Sequence, residues 1–177
     1  MGKIKVSGGE LKGRNFKVIG AARPLTSLIK KAIFDSIDVS GKTILDLFAG
    51  SGSFGIEALS RGAEFVFFVE SNLKIAENLK KNIRELGIEK KSKVVCQDVI
   101  KFLKRNNQKF DIVFADPPFS YKISEELIKL MKENSNYLVI VRRFKKNEDE
   151  KIFSSIFEKY EKRKYSDSVL LVGFSVI

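Results

Sequence analysis

The sequence predicts an α/β fold on a mostly parallel sheet with helices on both faces, and three observations predict it. After Gly41, short β-branched or aromatic runs alternate with helical periodicities, as strands joined by crossover helices do. The first run leads into the glycine-rich turn Gly50-Ser51-Gly52, which opens a helix as in the nucleotide-binding half of a doubly wound sheet. A last pair of runs, 161–165 and 169–176, brings the expected strands to seven.

The elements follow in order. Strands are expected at 43–46, 65–70, 93–96, 110–115 and 137–142, before the final pair. Helices are expected at 54–61, 73–86, 99–105, 124–132 and 149–160. The 73–86 helix is the clearest: Ile75, Ala76, Leu79, Ile83 and Leu86 recur at helical spacing, Ser71 can cap its start, and Gly87 can close it. Ahead of the sheet come a short strand at 4–6, a turn at Gly8-Gly9, a basic stretch to Arg23, and a helix at 26–37. The expected organisation is a basic N-terminal extension (1–40, a short β-hairpin and a helix) on a Rossmann-like domain (41–177).

Composition narrows the chemistry. At 177 residues, 44% of them hydrophobic, the chain can bury one good core. Its single cysteine, Cys96, excludes an intrachain disulfide. The absence of histidine removes both the usual base and the usual nitrogen ligand of zinc. Carboxylates, amides, aromatics and a cofactor must do the work, and no metal is expected. No apolar run approaches the roughly 18 residues of a membrane span, and no signal-peptide core is visible, so a cytoplasmic location is expected.

The net charge is +11, and +7 of it lies in residues 1–31, where Lys3, Lys5, Lys12, Arg14, Lys17, Arg23, Lys30 and Lys31 face Glu10 alone. Clustering of this kind suits a polyanion. Lys12, Arg14, Lys17, Lys30 and Lys31 are the expected RNA contacts.

The turn after the first strand reads Asp46-Leu47-Phe48-Ala49-Gly50-Ser51-Gly52-Ser53-Phe54-Gly55. Its glycines allow close backbone approach by a ligand, and the spacing also fits a dinucleotide fingerprint. Asp46 separates the two readings, because an acid at that strand end would gain nothing from a pyrophosphate and much from a cation. S-adenosylmethionine, with an ammonium and a sulfonium, is such a cation. Asp46 is expected to help hold its methionine end, with Phe48, Ala49, Gly50, Ser51 and Gly52 lining the turn. Glu70, at the end of the second strand beside Ser71, can accept from both ribose hydroxyls or simply end a strand in solvent. Asp98, beside Val99, can face the adenine amino group or cap the next helix.

Asp116-Pro117-Pro118-Phe119 follows the fourth strand, which a doubly wound sheet sets beside the first, at the switch point where ligands bind. An exocyclic amine becomes nucleophilic only when its nitrogen pyramidalises, and acceptors on its hydrogens favour that change. Asp116 and the Pro117 carbonyl are placed to be those acceptors. The two prolines stiffen the loop, and Phe119 can stack on a base swung out of its helix.

These residues make the chain resemble the RsmD family over nearly its whole length. The resemblance includes Ser7-Gly8-Gly9 followed by Lys12-Gly13-Arg14, Arg23-Pro24-x-Thr26 leading to Ala32-x-Phe34, the stretch 45–63, Phe68-Val69-Glu70, and 110–119. It implies methylation of the N2 amine of a guanine in bacterial small-subunit (16S) ribosomal RNA, with S-adenosylmethionine as donor and Arg23 and Thr26 among the cofactor contacts. The expected partner is that RNA, naked or within a small-subunit particle, and a monomer is expected. Phe119 stands where the family has tyrosine, and Leu25, Ser27, Leu28 and Lys31 depart from its pattern. An adenine-N6 methyltransferase would need a target-recognition region for which there is no room. A non-catalytic RNA-binding assembly factor would not need Asp46, Glu70 and Asp116 together, and a dinucleotide reductase leaves Asp116–Phe119 unexplained.

Overall fold

The computed structural model describes residues 2–20, 25–144, 149–165 and 167–175. An antiparallel hairpin, β1 (Gly2–Lys5) and β2 (Asn15–Val18), precedes α1 (Ser27–Ser36). Then follow β3 (Thr43–Leu47), α2 (Ser53–Ser60), β4 (Phe65–Glu70), α3 (Leu73–Leu86), β5 (Ser92–Cys96), α4 (Val99–Arg105), β6 (Phe110–Ala115), α5 (Glu125–Glu133), β7 (Ser135–Phe144), α6 (Asp149–Ile156), β8 (Tyr160–Lys164) and β9 (Ser168–Phe174). The main sheet has seven strands in the order β5-β4-β3-β6-β7-β9-β8. The neighbours from β5 to β7 pair in parallel, and β9 runs antiparallel between β7 and β8.

Alternation along the strands sorts the core onto two faces, since successive side chains of a strand point to opposite sides. Ile44, Phe68, Ile112, Phe114 and Ile140 pack with α1, α2, α3 and the hairpin, whereas Leu45, Leu47, Val69, Val113 and Val141 pack with α4, α5 and α6. The chain order reverses between β3 and β6, and the carboxyl ends of those two strands open there.

Three local expectations are corrected. The helix after β4 is capped by Asn72, whose side chain accepts from the Ile75 N–H at 3.2 Å, and not by Ser71. The last helix ends at Ile156, short of 160, because Phe157 turns into the core and Tyr160 already begins β8. The first strand runs Gly2–Lys5 and not 4–6, and its partner in the expected hairpin, β2, lies in the basic stretch after the glycine turn with Phe16 and Val18 buried.

That hairpin docks on α2 and α3. The Ser7 N–H and Oγ–H both donate to the Glu57 carboxylate (3.0 and 2.6 Å), and Asn82 bonds both backbone groups of Lys17. Lys30 corrects the surface reading of the basic cluster. Only 2% exposed, its Nζ donates to Glu57 Oε2 (3.2 Å) and the Lys5 carbonyl (3.1 Å), so no phosphate reaches it. It stands three residues before Ile33 on the buried side of α1, which explains its position. Burial pushes the Glu57 carboxyl up, but Ser7, Lys30 and Arg61 outweigh it and leave the pKa below the ordinary value. Removing one partner from a buried pair strands the other charge. Lys30→Met should therefore cost about 3 kcal/mol in denaturant unfolding. A loss within about 0.5 kcal/mol, the range of neutral surface changes, would mean that the pair holds nothing.

Candidate active site

Asp46 and Asp116 occupy adjacent strand ends on the same face of the sheet. β3 and β6 pair in parallel with Asp46 opposite Phe114, so Asp46 and Asp116 share the side on which Phe114 meets α2. Together they line a cavity of about 60 Å³ with Leu25, Phe48, Ala49, Gly50, Ser51, Ser53, Phe54 and Phe114. A larger concavity, about 460 Å³, lies between β5 and α4 and contains neither acid.

The glycine turn wraps Asp46. Gly52 takes φ +83°, a left-handed conformation that glycine adopts without steric cost, and begins α2. A Cβ at Gly55 would lie 2.2 Å from the Phe68 ring, so glycine there lets α2 settle onto β4. The Gly55 N–H donates to Asp46 Oδ2 at 3.1 Å. Asp46 is nevertheless only 2% exposed, and burial holds its carboxyl well above the ordinary carboxylate range. The Gly55 bond opposes that rise, and the charges of Asp116 and Glu70 add to it. A buried acid facing two other acids is a site short of a cation. Ser53 Oγ is buried and has no hydrogen-bond partner among the described residues, a further polar atom left for a ligand on this wall.

Glu70 sits across the turn. Its Oε2 accepts from the Gly50 N–H (2.9 Å) and its Oε1 from the Asn72 N–H (2.9 Å), which fixes the carboxylate over the loop. A carboxylate has about four lone-pair sites, so two acceptor positions are left for ribose hydroxyls. Asp98 caps α4, accepting from the Lys101 N–H at 2.9 Å, one of the two alternatives its position allowed. Ser71 is exposed and Val99 buried beside these two acids. Thr26 caps α1, its Oγ1 accepting from the Ile29 N–H at 3.3 Å. The Arg23 expectation lies outside the described residues.

Asp116 is held by a residue no sequence motif singled out. Arg142 of β7, 3% exposed, donates from Nη1 to Asp116 Oδ2 at 2.9 Å. Burial raises the Asp116 pKa, and the guanidinium opposes the rise. The same loop carries Tyr121, whose ring meets Phe48 edge-on with centroids 4.8 Å apart. Phe48 has a φ of +56°, costly for an aromatic residue, and this contact packs against it. Burial and the charge of Asp98 both raise the Tyr121 pKa, and its ring contact with Phe48 makes Tyr121 an aromatic bridge between the 116–121 loop and the glycine turn. Phe119 presents 53% of its surface beyond the loop. Lys12 and Arg14 are exposed on the hairpin and Lys17 is half-buried. Lys31 is exposed on α1, paired with Asp35 at 2.5 Å.

A family model described as "Conserved hypothetical protein 95" matches residues 4–173. Among curated relatives, a ribosomal RNA small subunit methyltransferase D from Haemophilus influenzae is 37% identical over 141 residues, covering 76% of this chain and 73% of the relative. A putative rRNA methyltransferase, YlbH, from Bacillus subtilis is 36% identical over 137 residues, covering 73% and 74%. A solved structure of a putative methyltransferase from Escherichia coli superposes with a TM-score of 0.84 at 27% identity, covering 98% of each chain.

Proposed function

The chain belongs to the family of Conserved hypothetical protein 95, the RsmD family, and on that premise we propose that it is an S-adenosylmethionine-dependent methyltransferase for the exocyclic N2 amine of a guanine in small-subunit ribosomal RNA. The single observation that carries the reading is the shared cavity of Asp46 and Asp116, one acid short of a cation and the other at the head of a stiff Asp-Pro-Pro-Phe loop. The cofactor, when bound, supplies an electrophilic methyl on a positively charged sulfur.

The chain's own residues do the rest. Asp46 takes the cationic methionine end, with Ser53 Oγ and the turn from Phe48 to Gly52 around it. Glu70 and Ser71 receive the ribose, and Asp98 and Val99 the adenine. Thr26, at the start of α1, would add a cofactor contact, and the family resemblance adds Arg23. Asp116 and the Pro117 carbonyl accept the amine hydrogens, Pro118 stiffens the turn, and Phe119 stacks on the flipped base. Held by these residues, the cofactor would supply the methyl group to the amine nitrogen, which Asp116 and the Pro117 carbonyl would hold in line with it. The nitrogen then loses a proton to water. Holding the nitrogen in line with the methyl group supplies the larger part of the acceleration, roughly 7–11 kcal/mol for well-oriented reactants.

The extension of residues 1–40 serves as the RNA-facing appendage of the 41–177 domain, and the substrate is RNA in a small-subunit particle in the cytoplasm, met by a monomer. Among the described residues no helix is long and apolar enough to cross a membrane. The test of the function is nucleoside mass spectrometry with primer extension on ribosomal RNA from cells with and without the gene. Loss of one N2-methylguanosine from small-subunit RNA is expected, and an unchanged methylation map would refute the assignment.

Two smaller effects follow. Lys12, Arg14 and Lys17 lie on one hairpin, so replacing all three with alanine should weaken RNA binding and flatten its salt dependence by about two to three in log–log slope. Filter binding across a salt series reads this, and an unaltered slope puts the RNA elsewhere. Phe119→Ala should raise KM for RNA and lower kcat, whereas Phe119→Tyr keeps the stacking face and should stay within about threefold of the parent. Steady-state transfer to small-subunit particles decides it, and equal loss in both variants would count against stacking.

A further inference from the structure

We propose that Arg142 is a positioning residue for methyl transfer, holding the Asp116 carboxylate in one orientation as the target amine arrives. The proposal rests on the function proposed above and assigns a role to a residue outside the Asp-Pro-Pro-Phe and glycine-turn motifs.

The argument starts from burial. A guanidinium taken out of water is costly unless paired, and β7 buries two in succession, Arg142 at 3% and Arg143 at 5% exposure. Consecutive strand residues point to opposite faces, so the two reach the 116–121 loop from both sides of the sheet. On one side Arg142 Nη1 donates to Asp116 Oδ2 (2.9 Å) while its Nε donates to Ser168 Oγ of β9 (3.3 Å), which fixes the plane of the guanidinium. On the other, Arg143 Nη2 donates to the Tyr121 carbonyl (2.8 Å) and its Nε pairs with Asp149 of α6. The acid and the aromatic bridge of the loop are thus each tied to rigid secondary structure.

The groups that face Asp116 are Asp46 from β3 and Arg142 and Arg143 from β7, with Asp149 of α6 behind Arg143. Burial favours a protonated Asp116, which would donate a hydrogen where the amine needs an acceptor. The arginines oppose this. A charge-assisted bond to one oxygen leaves lone pairs on the carboxylate for the amine hydrogens and lowers its basicity. Asp116 therefore acts by accepting hydrogen bonds while the departing proton goes to water.

The test is a carbon-13 carboxyl titration of Asp116 by NMR beside single-turnover rates across pH, for the parent, Arg142→Met and Arg142→Lys. In Arg142→Met the Asp116 titration should move to higher pH, the acid limb of the rate should move with it, and the plateau rate should fall about 10- to 100-fold at cofactor affinity within twofold. Arg142→Lys keeps the charge and loses the fork. Its limb should stay near the parent's while the rate falls about tenfold, and this variant decides the matter alone if the methionine variant does not fold. An unmoved titration in Arg142→Met, or a parent-like rate in Arg142→Lys, overturns the proposal. The titration needs no methyl acceptor, so a parent that failed to methylate small-subunit RNA would sink the functional reading and leave the clamp to be judged on its own.

Discussion

Asp116→Ala should leave S-adenosylmethionine binding near the parent value and reduce methyl transfer about 10²- to 10⁴-fold. The separation follows from the proposed roles: Asp46 and the glycine turn, to which Glu70 is bonded at the Gly50 N–H, would hold the cofactor, and Asp116, across the cavity at the head of its loop, would meet the amine. An acceptor that makes the amine nucleophilic is typically worth about 10²–10⁴-fold, and a misplaced base adds to the loss. Alanine also leaves Arg142 without its carboxylate at a buried position, so the measurement must include unfolding by denaturant. Calorimetric cofactor binding and single-turnover transfer, compared on folded protein, give the answer. Turnover near the parent's in Asp116→Ala would overturn the mechanism.

Asp46→Asn should do the reverse to two other properties, weakening the cofactor about 10²-fold or more while making the unliganded protein more stable at neutral pH. Truncating one partner of a buried charge pair costs about 2–5 kcal/mol of binding. In the unliganded protein, however, the Asp46 carboxyl is raised chiefly by burial, and the sign follows from that direction. A raised folded-state pKa gives relative stability that is fully present below the ordinary carboxylate value and lost as pH rises through the raised one. At pH 7 the buried carboxyl therefore lowers stability. Asparagine removes the charge and can still accept from the Gly55 N–H, so a gain of about 1 kcal/mol, roughly 2–4 °C in Tm, is expected. The pH dependence should agree: parent cofactor affinity should fall on acidification from above the ordinary carboxylate pKa, and the variant's should not. Thermal melts without ligand and calorimetry from pH 5 to 8 test this, and a destabilised Asp46→Asn would remove the argument from strain.

What could be read from the chain and what could not divide along a physical line. Asp46, the glycine turn, Glu70 and Asp116–Phe119 each end a strand, where a local change from period-two alternation to turn residues is visible in a window of ten. The seven strands and the order of the helices were legible for the same reason. Arg142 was not, because its partner is 26 residues away and the end of β7 reads as a charged strand terminus. Tyr121 went unremarked since Phe119 claimed the aromatic role of the loop, and only the left-handed Phe48 opposite gives it one. Lys30 carried a signal that net charge hid: it shares a helical face with Ile33, and a lysine in such a place is a candidate for a buried pair with an acid. The capping of α3 by Asn72 in place of Ser71 is a one-residue matter that side-chain geometry alone decides.

The acidic cavity also bears on how a catalytic cycle ends. On the proposed assignment, loss of the methyl group would turn a sulfonium into a neutral thioether, so the spent ligand would bring one positive charge fewer to Asp46, with the charges of Asp116 and Glu70 still bearing on it. The wall that attracts the fresh ligand is then under-compensated, and expulsion of the by-product is favoured by the same desolvated carboxylate that drew its precursor in. Exchange of spent for fresh ligand would then be biased forward by that difference of one charge.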